Sequence, residues 1–69
     1  MRHTPITIQP TPIKTMKPGD FFRDGSQNFR IADIERDEDV VRVTYYIGVS
    51  DLVNSFYLSP KDTLDKIIS

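Results

Sequence analysis

VVRVTYYIGVSDLVNSFYL, residues 40–58, is the stretch that decides how this chain folds. Val41, Val43, Tyr45, Ile47 and Val49 take every second position, with Arg42, Thr44 and Ser50 among the residues between them. Apolar residues at period two, rich in β-branched and aromatic types, mark a strand that buries one face. A return strand follows Ser50-Asp51. With those two residues as the turn, Val49 faces Leu52, Tyr45 faces Phe56 and Val43 faces Leu58. A slip of one residue would move every one of these pairs to the wrong side of the sheet. Ile47 opposite Asn54 is the one poor pairing.

Working upstream, residues 26–36 form a strand whose pattern changes parity. Phe29 and Ile31 share one parity, Ala32 and Ile34 the other. A β-bulge near Ile31-Ala32 reconciles them and bends the strand, as closure of a small barrel requires. Ile34 then faces Val41, Ile31 and Ala32 face Val43, and Phe29 faces Tyr45. Asp37-Glu38-Asp39 is the polar tip of this hairpin. Asp24-Gly25 signals a two-residue hairpin turn that sets Phe22 opposite Gln27 and Phe21 opposite Asn28. Lys17-Pro18-Gly19-Asp20 has proline and glycine where a type II turn wants them. Residues 13–16 read as a short strand with Ile13 inward. Pro5, Pro10 and Pro12 exclude a helix or a central strand from residues 1–12. That segment is either a flexible arm or one that packs Ile6 and Ile8 on the domain or on a partner's edge strand.

Downstream, Ser59-Pro60-Lys61-Asp62 has a capping serine, a proline at the first helical position and a carboxylate in the first turn. Leu64, Ile67 and Ile68 follow at helical spacing. Two continuations fit: a short helix, or one helical turn and then a last strand over residues 64–68. The whole predicts one mainly β domain, an antiparallel meander or partly open barrel of about four to five strands. Residues 13–69 make the domain, with a short C-terminal helix or helical turn, and residues 1–12 the arm. This pattern resembles the small Src-homology-3-like barrels, through the Lys17-Pro18-Gly19-Asp20 turn, the long bent hairpin and the Ser59-Pro60-Lys61-Asp62 turn before a last apolar segment. The resemblance covers residues 13–68 and is one of fold. Peptide-binding versions carry a tryptophan, and this chain has none.

Composition excludes several function classes. Sixty-nine residues make one domain at most, with a small core. The absence of cysteine removes disulfides, thiolate metal sites and thiol nucleophiles. Nine Lys plus Arg against ten Asp plus Glu give a net charge of −1, unlike the basic excess of a duplex-DNA binder. No run of residues has the length of a membrane span or the apolar core of a signal peptide. A complete small cytoplasmic gene product is the expectation. His3 is the only histidine and has no orienting partner near it in sequence. Glu35, Asp37, Glu38 and Asp39 lack the glycine of a calcium loop, and Arg36 interrupts them. Gly19 and Gly25 sit in turns, not in a phosphate-binding loop before a helix. Ser26, Ser50, Ser55 and Ser59 have no base beside them. Neither enzyme chemistry, nor a metal, nor a cofactor is expected.

What remains is a binding surface. On the register above, Thr44, Tyr46, Ser55 and Tyr57 share the face turned away from the core, with the two tyrosines as diagonal neighbours. Arg42 extends that face, Val53 ends it, and Arg30 lies nearby. Aromatic rings beside arginine serve protein hot spots and single-strand stacking platforms alike. The alternative is a two-sided sheet in which the C-terminal element covers Tyr46 and Tyr57. The leading expectation is a non-enzymatic protein-binding module, a small inhibitor or accessory subunit that acts by occlusion or dimerisation. Its partner is another protein or itself. The other expectation is a single-stranded RNA or DNA binder that uses Tyr46, Tyr57, Arg42 and Arg30, disfavoured by the low positive charge.

Overall fold

The alternating segments become six strands in one open antiparallel sheet. The computed structural model describes residues 7–48 and 50–68. The strands are β1 (Ile8–Pro12), β2 (Phe21–Asp24), β3 (Gln27–Arg36), β4 (Val41–Tyr46), β5 (Val53–Leu58) and β6 (Thr63–Ile67). Their order across the sheet is β1-β6-β2-β3-β4-β5, so β1 and β5 are the edges. The only helical element among the described residues is a 3-10 turn over Ile13–Thr15. No described helix is long and apolar enough to cross a membrane.

The sheet curls around Ile13, Met16, Phe22, Ile31, Val41 and Val43, with Phe29, Ile34, Tyr45, Phe56, Leu58 and Leu64 packed against them. The bulge lies where the change of parity puts it, between Ile31 and Asp33. The Lys17-Pro18-Gly19-Asp20 turn is closed by the Asp20 N–H donating to the Lys17 carbonyl at 3.1 Å.

The registers of the three hairpins depart from the sequence expectation, each by two residues. In the first, Phe22 pairs with Phe29 and Asp24 with Gln27, so the turn is Gly25-Ser26 and not Asp24-Gly25. Gly25 has a φ of 62° and no other residue type among those described has a positive φ. That is the signature of a type II′ turn, with glycine in the first central position. In the central hairpin Ile34 pairs with Val43 and Ile31 with Tyr45, in place of Val41 and Val43. The Asp37 N–H donates to the Val40 carbonyl at 2.9 Å, which shortens the tip to Glu38-Asp39.

In the last hairpin Val43 pairs with Phe56, Tyr45 with Asn54 and Val41 with Leu58. The Ile47 N–H donates to the Leu52 carbonyl at 2.9 Å and closes a four-residue loop, residues 48–51. Gly48, at a φ of 60°, turns the chain there. Ser50-Asp51 cannot act alone as the turn, and Leu52 is not a core residue but 68% exposed. The expected partner of Leu52, Val49, lies outside the described residues.

The first and last described strands pair with each other at one side of the sheet. Where a short strand is expected over residues 13–16, Ile13–Thr15 form the 3-10 turn, although Ile13 does point inward and is fully buried. The Arg36 guanidinium donates to the carbonyls of Met16 at 2.6 Å and Ile13 at 3.4 Å, tying that turn to the far end of β3. Ser59-Pro60-Lys61-Asp62 makes an isolated turn, in which the Ser59 N–H donates to the Asp62 carboxylate at 2.8 Å. No helix follows it. Residues 63–67 continue as β6, the second of the two continuations. So short a helix has little stability of its own, whereas a strand here satisfies β1 on one side and β2 on the other. The sheet thus has more strands than expected, because residues 8–12 and 63–67 pair with each other. Ile6 and His3 lie outside the described residues.

Two stability measurements check this arrangement. Phe22 is 3% exposed and its neighbour Phe21 48%. In urea unfolding, Phe22→Ala is expected to cost about 3–5 kcal/mol, and Phe21→Ala less than about 1 kcal/mol. Gly48→Ala meets no atom within 4 Å, so its cost is the backbone's alone, about 1–2 kcal/mol for a left-handed non-glycine residue. Were Ser50-Asp51 the turn and Gly48 inside a strand, the same change would stabilise the chain.

Candidate binding face

Pleating fixes which side chains leave the core. Along β4, Val41, Val43 and Tyr45 turn inward, and Arg42, Thr44 and Tyr46 turn outward. Cross-strand partners share a face, so Tyr57 opposite Arg42, Ser55 opposite Thr44 and Val53 opposite Tyr46 are outward too. On the other side Glu35 pairs with Arg42 and Asp33 with Thr44. Arg30 pairs with Phe21 on the same surface. The six residues singled out in the sequence, Arg30, Arg42, Thr44, Tyr46, Val53 and Tyr57, therefore do lie on one face.

Their grouping differs from the expectation. Tyr57 stands opposite Arg42 and not Thr44, and Tyr46 opposite Val53 and not Ser55. Four residues of strand separate the two tyrosines, about 13 Å, so they are not diagonal neighbours. The cause is the loop at Gly48, which moves β5 by two residues along β4 and leaves every side chain on its own face.

The face thus has two ends. At one, the Arg30 guanidinium lies over the Tyr46 ring, 4.6 Å from its centroid. With Phe21, Asn28, Ser50 and Asp51 these two line a shallow cleft of about 400 Å³. At the other end Arg42 forms an ion pair with Glu35 beside Tyr57, which is 65% exposed. Between them the Thr44 and Ser55 hydroxyls share a hydrogen bond of 2.9 Å.

The C-terminal segment does not cover these residues. As β6 it lies between β1 and β2, separated from β5 by the three strands β2, β3 and β4. Leu64 instead joins the inner side, where Phe22, Phe29, Tyr45 and Phe56 line a second cleft of about 260 Å³ with Arg23 and Asp24 at its mouth. Among the described residues no three His, Asp or Glu side chains converge as metal ligands would.

Phe21 and Leu52 belong to the exposed apolar surface and were missed as such. Phe21 was legible: once Phe22 faces the core, its neighbour in a strand must face outward. Leu52 was not, because its place depends on which residue makes the turn.

No protein-family model, curated protein or solved structure matches this chain.

The Arg42–Glu35 pair is exposed and contributes little to stability. Arg42→Ala and Tyr57→Ala are each expected to shift the unfolding free energy by less than about 1 kcal/mol. A larger loss, measured by denaturant titration, would make these side chains part of the structural framework and not of an available surface.

Proposed function

We propose that this chain is a non-enzymatic protein-binding module, a small inhibitor or accessory subunit that occludes a partner's surface with the outer face of β3, β4 and β5. The observation that carries this reading is the company its arginines keep. Arg30 is spread on the Tyr46 ring and Arg42 is paired with Glu35. Asp33 and Glu35 stand on the same face, opposite Thr44 and Arg42. Mixed charge around exposed Tyr57, Val53 and Phe21 suits a protein surface, where tyrosine and arginine anchor binding. A nucleic-acid groove wants unpaired positive charge in a row. The likeness to Src-homology-3-like barrels belongs to the same proposal.

One observation favours the second reading, a single-strand binder. The Arg30–Tyr46 stack with Phe21 beside it offers a base two aromatic surfaces and a cation. Asp51 on the wall of that cleft opposes a phosphate there.

Capture from lysate by the purified chain separates the two. The protein-binding reading expects a stoichiometric partner that survives nuclease and moderate salt, and that is lost with Tyr57→Ala combined with Tyr46→Ala. Capture that nuclease abolishes would transfer the function to nucleic acid. Capture unchanged by the double substitution would remove this face from the function.

A further inference from the structure

The two edges of the sheet are built differently. The Ile68 N–H donates to the Thr7 carbonyl and the Ile13 N–H to the Asp62 carbonyl, each at 3.0 Å. In an antiparallel ladder hydrogen-bonded positions alternate, so residues 7, 9, 11 and 13 address β6, and Ile8, Pro10 and Pro12 point their backbone away from the sheet. Proline has no N–H to offer. Two of the three outward positions of β1 are therefore blocked as donors, which is how a natural edge is protected against pairing.

The β5 edge carries no such protection. The Ile47–Leu52 hydrogen bond sets the alternation on β4, so Asn54, Phe56 and Leu58 address β4 and Val53, Ser55 and Tyr57 point outward. Val-Asn-Ser-Phe-Tyr-Leu contains no proline, no glycine and no charge. One outward donor is covered locally: the Ser55 N–H donates to the Asn54 side-chain oxygen at 2.9 Å. That cover is an exposed side chain that rotates away without disturbing the core. Among the described residues β5 pairs with β4 alone.

We propose that the β5 edge is a self-association surface, on which a second copy of this chain pairs antiparallel about a two-fold axis at Ser55. The strand is self-complementary in that register. Ser55 meets Ser55 of the second copy, and each N–H finds the carbonyl that replaces the Asn54 oxygen. Val53, 50% exposed, meets Tyr57 of the second copy, and the same contact recurs on the far side of the axis. The strand bears no charge, so two copies meet without like-charge opposition. The product is a continuous sheet of twice the width, with its two outer faces side by side. A second copy fits better than an unrelated strand because the edge supplies both halves of each side-chain pair itself.

The experiment is sedimentation of the purified full chain from micromolar to millimolar concentration, with three variants. The wild type should pass from monomer to dimer, and amide exchange at Val53, Ser55 and Tyr57 should slow as concentration rises. Ser55→Pro removes a donor that β4 does not use and should weaken association at least about tenfold. Ser55→Lys places two cations directly opposite each other at the axis and should do likewise, and its side chain lies on the exposed face, which keeps the test decisive if the proline variant fails to fold. Ser55→Cys, the only cysteine in its chain, should form a symmetric disulfide under mild oxidation, since directly opposed hydrogen-bonded residues lie about 5.5 Å apart at Cα. A chain that stays monomeric at millimolar concentration overturns the proposal. So does a dimer indifferent to both Ser55→Pro and Ser55→Lys. Either result leaves the outer-face reading standing, since the capture of a different protein does not need this edge.

Discussion

Four aromatic rings from four different strands hold the sheet in its curled form. Phe22 of β2, Phe29 of β3, Tyr45 of β4 and Phe56 of β5 lie with neighbouring centroids 4.9–5.8 Å apart. Phe22 and Phe56 are 5.7 Å apart although their strands are separated by three steps across the sheet. In a flat sheet three steps span about 14 Å. The rings can meet only if the sheet bends sharply between them, and the bulge at Ile31–Asp33 supplies the bend. Each ring pair adds about 0.5–1.5 kcal/mol beyond its burial, so curl and cluster stabilise one another. In a chain this short the aliphatic core they pack against is small.

The sequence made the faces readable and left the registers open, for one physical reason. Apolar alternation has a period of two, so it states which residues face the core and is silent on a shift of two along the partner strand. That is the size of every register shift found in the three hairpins. Val41, Val43 and Ile31 are inward as the pattern requires, while each of their partners is displaced. What fixes the remaining freedom is turn chemistry. Gly48 reads as one residue among apolar neighbours, yet its positive φ, not the polarity of Ser50-Asp51, decides where β4 ends. The same ambiguity explains the candidate face: its members were legible by parity, and their division into an Arg30–Tyr46 end and an Arg42–Tyr57 end was not.

The termini were harder still, because their structure is decided by each other. Residues 8–12, with two prolines, have no pattern that demands a strand, and residues 63–67 carry helical spacing and a good cap. Each becomes a strand because the other is there to pair with it. Local preference yields to the need to satisfy backbone groups along β2, which offers one open side once β3 has taken the other.

This arrangement also determines which part of the molecule is left available. Pro10 and Pro12 allow β1 only an outermost place, with their nitrogens turned away from β6. The room for β6 is then between β1 and β2, and not beside β5. An open sheet has two edges, and with one closed by proline the other must be β5, whose residues are uncharged and whose outward side chains border the Tyr46–Val53 and Arg42–Tyr57 pairs. The exposed face and the free edge therefore meet along one strand. Val53 and Tyr57 belong to both surfaces, so the proposed partner of the face and a second copy at the edge would meet the same two side chains.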